Sequence, residues 1–429
     1  MIKEALSKLT LNSDFARNAF TLTLGSGIAQ AIPLFLYPIL GRMFTPSEFG
    51  LFATILAATS IIGIISTGKY DSCILITETK QESADAIGLT LLLSFFVLVI
   101  SYIFILLFSN QISIWLNSPS LKDWLYIIPL NAFVIVVFSC YNEWCVRNKY
   151  FKGLAWNKIL NSGSNNLAKL FLGVYKISNN GLIIGDFVGR TITASICVFL
   201  AFRKDKIFFS KISRQKMKEL SIKYSKFPIY FMPGQLINAV GSQSAVFLIG
   251  IFYSSVEVGY YAMTTVILSI PTSLISVAIK DTFRQRANED YIKNGDCRPV
   301  FIKTFKLLMT IVIFGLVLVI FFLPAIFRIG IGEQWQVSGE YAQILAPMIG
   351  LSFIANSLSG VMIIAEKLKA DFFFQVYYTS ISFISLFIGF YFFNNMNMSL
   401  ICYSIGLGSA YLLKIYLSFI FTKKRHDVI

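Results

Sequence analysis

Gly41-Arg-Met-Phe-Thr-Pro-Ser-Glu-Phe-Gly-Leu-Phe-Ala53 returns in altered form as Gly250-Ile-Phe-Tyr-Ser-Ser-Val-Glu-Val-Gly-Tyr-Tyr-Ala262, 209 positions further along a chain of 429 residues. Gly41/Gly250, Glu48/Glu257, Gly50/Gly259 and Ala53/Ala262 are identical, and Phe44/Tyr253, Thr45/Ser254 and Phe52/Tyr261 keep their chemistry. A repeat offset close to half the length indicates two halves built on one plan. Thr45-Pro-Ser-Glu48 and Ser254-Ser-Val-Glu257 share the Ser/Thr-x-x-Glu spacing of a capping box, in which hydroxyl and carboxylate satisfy the free amides of a helix start. Pro46 suits the first helical position. The repeat therefore marks two equivalent helix starts, and for Glu48 and Glu257 the capping role outranks a proton-carrying one. Gly50 and Gly259, in the first turn, allow a neighbouring helix to come close.

What those helices lie in follows from composition. Hydrophobic residues make up 56% of the chain and aromatics 15%, with a mean hydropathy of +0.69, which belongs to a bilayer and not to water. Apolar runs near the ~20 residues needed to span hydrocarbon cover 18–40, 49–68, 87–108, 124–146, 158–177, 182–202, 227–252, 259–279, 301–327, 341–364, 372–393 and 399–421. They are too long and too uniformly apolar for barrel strands, and only a helix satisfies its own backbone in lipid. The expectation is an all-α integral membrane protein with twelve transmembrane helices in two pseudo-symmetric six-helix bundles around a central cleft. An N-terminal lobe (1–202) and a C-terminal lobe (227–429) are joined by a linker (203–226).

Lys and Arg placement sets the orientation. With both termini cytoplasmic, the outer loops hold four basic residues (Arg42, Lys122, Lys176, Arg328) of the 37 present, and Lys169, Arg190 and Lys414 fall within spans. The net charge of +15 is thus a topology signal, not a nucleic-acid footprint. The linker is the densest basic stretch. Phe208, Phe209, Ile212, Met217 and Leu220 between its charges suggest an amphipathic piece lying on the anionic inner leaflet, with a solvated connector as the alternative. The polar first 17 residues and the long first apolar run do not read as a cleavable signal peptide. Both halves hold six spans and start on the same side, so the repeat is parallel, about an axis along the membrane normal.

Several chemistries are excluded. Six cysteines form no Cys-x-x-Cys pair, and the one histidine, His426, lies in the tail, so neither a metal site nor a histidine-based triad is expected. Gly63-Ile-Ile-Ser-Thr-Gly68-Lys69 imitates a phosphate-binding loop, but Tyr70 stands where magnesium would need a hydroxyl ligand at the start of a helix. No cofactor is expected.

Ionisable groups inside a span cost about 2.5–3.5 kcal/mol on insertion scales unless they find a partner or water. Lys169 lies mid-span, and Asn161, Asn165 and Lys169 form a stripe at intervals of four. Arg190 follows Asp186 by four, so a self-contained ion pair competes with a guanidinium that faces an anionic ligand, Asp186 tuning it or carrying a coupling proton. Lys414 is near enough to a span end to snorkel. Glu143 with Arg147, Lys69 with Asp71, and Lys280 with Asp281 lie near span ends and read as interfacial anchors. Gln30 with Ser26 and Tyr37 on span one, and Gln235 and Asn238 with Ser242 on span seven, keep helical spacing. Such faces can line a cleft or bond helix to helix. Pro33, Pro38, Pro228, Pro233 and Pro271 are candidate bends.

Together these features resemble a family. Phe44-Thr-Pro-Ser-Glu-Phe-Gly50, Gly68-Lys-Tyr-Asp-Ser-Cys-Ile-Leu75, Trp144-Cys-Val-Arg-Asn-Lys-Tyr-Phe151 and Gly181-Leu-Ile-Ile-Gly-Asp-Phe-Val-Gly189 look like the helix ends of O-antigen-type polysaccharide repeat-unit flippases. The superfamily of these flippases also contains multidrug extruders and lipid II flippases. Lys69 departs from the arginine expected in that segment and weakens a bidentate phosphate role there. The resemblance implies transport, not enzymatic catalysis. Undecaprenyl-pyrophosphate-linked oligosaccharide would pass from inner to outer leaflet of the bacterial inner membrane by ion-coupled alternating access. Its implied partners are that lipid-linked glycan, membrane lipids and other polysaccharide-assembly membrane proteins, with no nucleic acid. On the sequence's own charges Lys169 and Arg190 are the expected cationic contacts and Asp186 the coupling acid. Asn165, Gln30, Gln235 and Asn238 are expected to offer polar contacts, and Lys69, Lys280 and Arg284 to attract substrate at the inner mouth. A proton- or sodium-coupled drug exporter of the same fold is the alternative reading. A membrane glycosyltransferase or polymerase is disfavoured by outer loops of about 15 residues or fewer.

Overall fold

A computed structural model describes residues 14–176 and 180–423; His426 lies outside them. The helices are α1 (Asp14–Met43), α2 (Pro46–Thr67), α3 (Lys80–Trp115), α4 (Ile127–Arg147), α5 (Phe151–Tyr175), α6 (Gly181–Phe209), α7 (Arg214–Lys223), α8 (Met232–Phe252), α9 (Ser255–Asn294), α10 (Arg298–Ala325), α11 (Gln336–Leu358), α12 (Gly360–Ile364), α13 (Leu368–Phe393) and α14 (Met396–Ile420). All but α7 and α12 are long, and each long helix answers to one of the twelve expected spans.

Eleven of the long helical stretches are apolar enough as well as long enough to cross a bilayer. The chain is a multi-pass membrane protein. The twelfth, α5, has the length at 25 residues but carries Lys152, Lys158, Lys169 and four asparagines; Asn157, Lys158, Asn165 and Lys169 find protein partners. Elsewhere the apolar runs understate the helices. The 36 residues of α3 reach about 54 Å at about 1.5 Å per residue, beyond the hydrocarbon. The 40 residues of α9 carry its basic end well past the apolar run. The faces of α3 and α10 that carry Phe95, Phe96, Leu106, Phe314 and Phe321 are exposed, as lipid-facing helices require. Of the candidate bends, Pro228 lies in a π-helical turn (Phe227–Phe231) and Pro233 in the first turn of α8, where no internal amide is lost.

Contacts divide the chain into two compact units that do not follow its halves. The first comprises the described residues of Met1–Leu36, Ile62–Tyr102 and Pro129–Ile229; the second comprises Tyr37–Ile61, Ile103–Ile128 and the described residues of Tyr230–Ile429. In the first, Trp144 is fully buried among Cys140, Cys145 and Ala201, and its indole donates to Asp205 Oδ2 at 2.9 Å. The basic linker joins this core. Leu220 is buried in it, and Phe208, Phe209, Ile212 and Met217 pack against it, so the apolar residues expected on the lipid leaflet cover protein. Backbone bonds fasten the segment: Tyr70 Oη donates to Ser221 O (2.9 Å) and Ser213 N to Asp85 Oδ1 (2.9 Å). Arg147 bonds the carbonyls of Thr77 (2.8 Å) and Glu78 (3.2 Å), instead of pairing with Glu143. The turn it closes holds Cys73 fully buried.

In the second unit the duplicated segments meet. A methyl group on Gly50 would overlap the carbonyl oxygen of Ser255, and one on Gly259 would overlap that of Pro46. Each repeat thus presses its helix start into the glycine of the other, a reciprocal crossing that only a missing Cβ permits. Ser47 Oγ and Ser255 Oγ lie 3.3 Å apart beside it. The first start is a full capping box: Thr45 N donates to Glu48 Oε2 at 2.8 Å and Glu48 N to Thr45 Oγ1 at 3.4 Å. The second is half of one. Ser254 Oγ accepts from Glu257 N at 3.3 Å, but the Glu257 carboxylate accepts from Tyr341 Oη on α11. The end of α1 is bonded to the far side of the sequence. Trp335 Nε1 and Gln334 Nε2 donate to Gly41 O (2.6 and 2.7 Å), and Arg42 donates to the carbonyls of Ile329 and Gly330 (2.9 and 3.1 Å).

Overpacking a tight contact costs about 1–3 kcal/mol, so Gly50→Ala and Gly259→Ala lower the melting temperature in detergent. Gly27→Ala, with nothing within 4 Å of the added carbon, leaves it unchanged or raises it through helix propensity. Burial, reinforced by the charge of Asp71, pushes the Cys73 thiol from 9.0 up to about 12. Because the folded value is the higher one, this group's contribution is intact below pH 9 and declines as pH rises from 9 to about 12. In a titration of stability Cys73→Ala flattens that decline, and maleimide labels Cys73 at neutral pH only after denaturation.

Candidate functional site

Helices α5 and α6 lie against each other in the first unit because α6 presents glycine where α5 is closest. A methyl group on Gly185 would come within 2.6 Å of the Lys169 backbone, and one on Gly189 would overlap the backbone of Asn165. The seam is stitched by Ser164 Oγ, which donates to Gly189 O (2.9 Å) and lies 2.7 Å from Thr193 Oγ1. With the backbones this near, Asn165 and Lys169 reach Asp186 on the facing turn.

The Asp186 carboxylate collects donors from three helices. Its Oδ1 accepts from Asn165 Nδ2 at 2.7 Å and Arg190 Nη2 at 3.3 Å, and Lys169 Nζ lies 3.2 Å away. Its Oδ2 accepts from Arg190 Nε at 2.6 Å and from Asn131 Nδ2 of α4 at 3.2 Å. Two cations therefore surround one anion inside a membrane helix bundle. The side chains of Lys169 and Asp186 are 5% and 2% exposed, whereas that of Arg190 is 24% exposed, so the accessible member of the cluster is a guanidinium.

Four of the expected site residues, Lys169, Asp186, Arg190 and Asn165, are thus brought together. Asn131 completes the group and was not expected; its only sequence signal is an amide within an apolar run. Gln30 is half-buried on α1, near the level where Lys158 Nζ donates to Ser26 Oγ (2.9 Å) and Ser162 Oγ to Ala29 O (2.6 Å). Ser26 and Ala29 of that helix thus bond to α5. Lys69 is half-buried, in a left-handed conformation with φ 60° that ends α2. In the second unit, Gln235 is half-buried and Asn238 exposed on α8, and Lys280 and Arg284 are exposed on α9; Asp281's side chain lies outside the described ones. Lys414 donates to Asn356 Oδ1 at 3.3 Å and sits 5.0 Å from the Phe374 ring centre, so an amide and a cation–π contact hold its head group.

A profile of the family described as "Polysaccharide biosynthesis protein" matches residues 39–340, which includes the first repeat, the Asp186 cluster and the second repeat. The chain belongs to this family. Among solved structures it is similar to one titled "Lipid II flippase MurJ, inward closed conformation", with a TM-score of 0.74 at 13% identity over 92% of this chain and 87% of that one. It is also similar to an inward-facing multidrug resistance MATE transporter of the MOP superfamily (TM-score 0.67, 15% identity, 93% and 94% covered). A third is a MOP superfamily transporter from Pyrococcus furiosus (TM-score 0.60, 13% identity, 94% of each chain). No curated protein sequence matches the chain significantly. At these identities the likeness is one of fold.

Removing one partner of a buried ion pair costs about 3–5 kcal/mol because the other charge is stranded. Asp186→Leu strands two cations and is expected to lose that much or fail to fold. Arg190→Gln leaves the Lys169–Asp186 pair and loses clearly less. Melting temperatures of detergent-purified variants rank the two.

Proposed function

We propose that this protein carries an undecaprenyl-pyrophosphate-linked oligosaccharide from the inner to the outer leaflet of the bacterial inner membrane by alternating access, coupled to an ion gradient. The observation that carries this reading is the surplus positive charge of the Asp186 cluster, with Arg190 as its accessible member, in a chain of the polysaccharide biosynthesis family. A desolvated guanidinium binds phosphate oxygens through paired N–H donors, and an isolated cation inside a membrane is favourable only with a counter-charge. An anionic headgroup supplies one; a cationic drug does not. One protein of similar fold is a lipid II flippase.

In this reading Arg190 meets the pyrophosphate and Lys169 adds to the positive field behind it. Gln30, Gln235 and Asn238 offer amides to sugar hydroxyls. Lys69, Lys280 and Arg284 draw the headgroup in from the cytoplasmic side, where both chain termini lie. The prenyl tail stays in lipid. Membrane lipids and other polysaccharide-assembly proteins are its surroundings.

Reconstitution into proteoliposomes with a fluorescent lipid-linked oligosaccharide and an imposed proton gradient tests this. Loss of a bidentate charged contact is worth about 1.5–3 kcal/mol, so Arg190→Gln slows translocation at least about tenfold. An unchanged rate in folded Arg190→Gln, or gradient-driven efflux of a cationic dye in place of glycan translocation, overturns the proposal.

A further inference from the structure

The donors on Asp186 are more numerous than its charge requires. Five donor contacts from four side chains converge on a carboxylate with about four lone-pair positions. Two of the five belong to Arg190. If Arg190 is taken away, Oδ1 keeps Lys169 and Asn165, Oδ2 keeps Asn131, and the charge of the acid is still cancelled by Lys169. If Lys169 is taken away, Arg190 becomes the only cation and its departure strands a buried carboxylate, at a cost of several kcal/mol.

The helix frame makes the two cations unequal in reach. Lys169 lies in the seam where Gly185 touches its own backbone, and its side chain is almost completely enclosed. Arg190 is one turn further along α6, follows the last seam glycine and is partly exposed. One cation is built in, and the other can turn outward.

We propose that Lys169 is a positioning residue that serves as the standing counter-ion of Asp186, so that Arg190 can leave the acid for a phosphate oxygen of an anionic ligand. Arg190 exchanges one anion for another and the buried charge stays balanced throughout. Asp186 parks the guanidinium between ligands. This deepens the anion-binding reading above and rests on it. It differs in making Lys169 act through Asp186 and not through the ligand.

The test uses farnesyl pyrophosphate as probe and the detergent-purified full chain, with binding followed by isothermal calorimetry. Four proteins decide it: wild type, Arg190→Gln, Lys169→Met, and Lys169→Met combined with Asp186→Asn. Arg190→Gln loses binding. Lys169→Met weakens it about tenfold, because a locked arginine lowers the binding-competent fraction. The double variant, which frees Arg190 by removing the acid's charge, returns to within about threefold of wild type.

A Lys169→Met protein that binds as wild type does, or a double variant no better than Lys169→Met, overturns the counter-ion role while leaving Arg190-dependent binding in place. A wild type that binds the probe no better than Arg190→Gln overturns the pyrophosphate reading itself. If Lys169→Met does not yield folded protein, the double variant, which removes one buried cation together with the acid's charge, is compared with wild type directly. It binds the probe within about threefold of wild type, and weaker binding overturns the proposal.

Discussion

A charge within hydrocarbon must carry its counter-charge and its hydrogen bonds with it, because no water is present to supply them. That requirement organises the first unit. Asp186 is tolerable only with Lys169, Arg190, Asn165 and Asn131 at hand, and these sit on three helices, so α4, α5 and α6 are fixed to one another by one carboxylate. The glycines of α6 are part of the same solution. Without Gly185 and Gly189 the α5 backbone would stand too far off for an asparagine to reach. Packing and electrostatics here are one constraint, not two.

The second unit answers a different need. Its repeated segments cross backbone to backbone at Gly50 and Gly259, and each crossing places a helix start, with its free amides, near another chain segment. In the first copy Glu48 stays at home and closes its own cap. In the second the corresponding acid bonds Tyr341, and the cap is left to Ser254. The two copies keep the geometry of contact while their acids have taken different partners. The charged cluster around Asp186 is likewise confined to the first half, so the repeated contact is framework and the buried charges have no counterpart in the repeat.

Much of this was readable in the residues. The spans, the equivalent helix starts and the Asp186–Arg190 pair all follow from spacings within one helix, where i and i+4 are neighbours by construction. So does the Asn165–Lys169 stripe. What escaped depends on which helix faces which. Asn131 is distant in sequence from Asp186 and has no periodicity to announce it. Nothing in the spacing around Lys414 announces Asn356 and Phe374 beside it. The linker's apolar residues fit a lipid surface as well as a protein one by composition, and only their packing against the Trp144 core decides between them. Arg147 has Glu143 at helical spacing, yet backbone carbonyls of the adjacent turn take the guanidinium.

The unequal division of the chain between its two units has a consequence for biosynthesis. The first unit draws on nothing beyond Ile229, so its core, linker and charged cluster can assemble while the ribosome is still producing the rest. The second unit needs Tyr37–Ile61 and Ile103–Ile128, which enter the membrane early and then wait. Gly50 meets its counterpart only after 209 more residues have been made, about 10–40 s at about 5–20 residues per second. During that interval a helix start shaped to receive a backbone has no backbone to receive, and the half-made chain offers lipids, insertion machinery or a second nascent copy the surface that its own repeat will later cover.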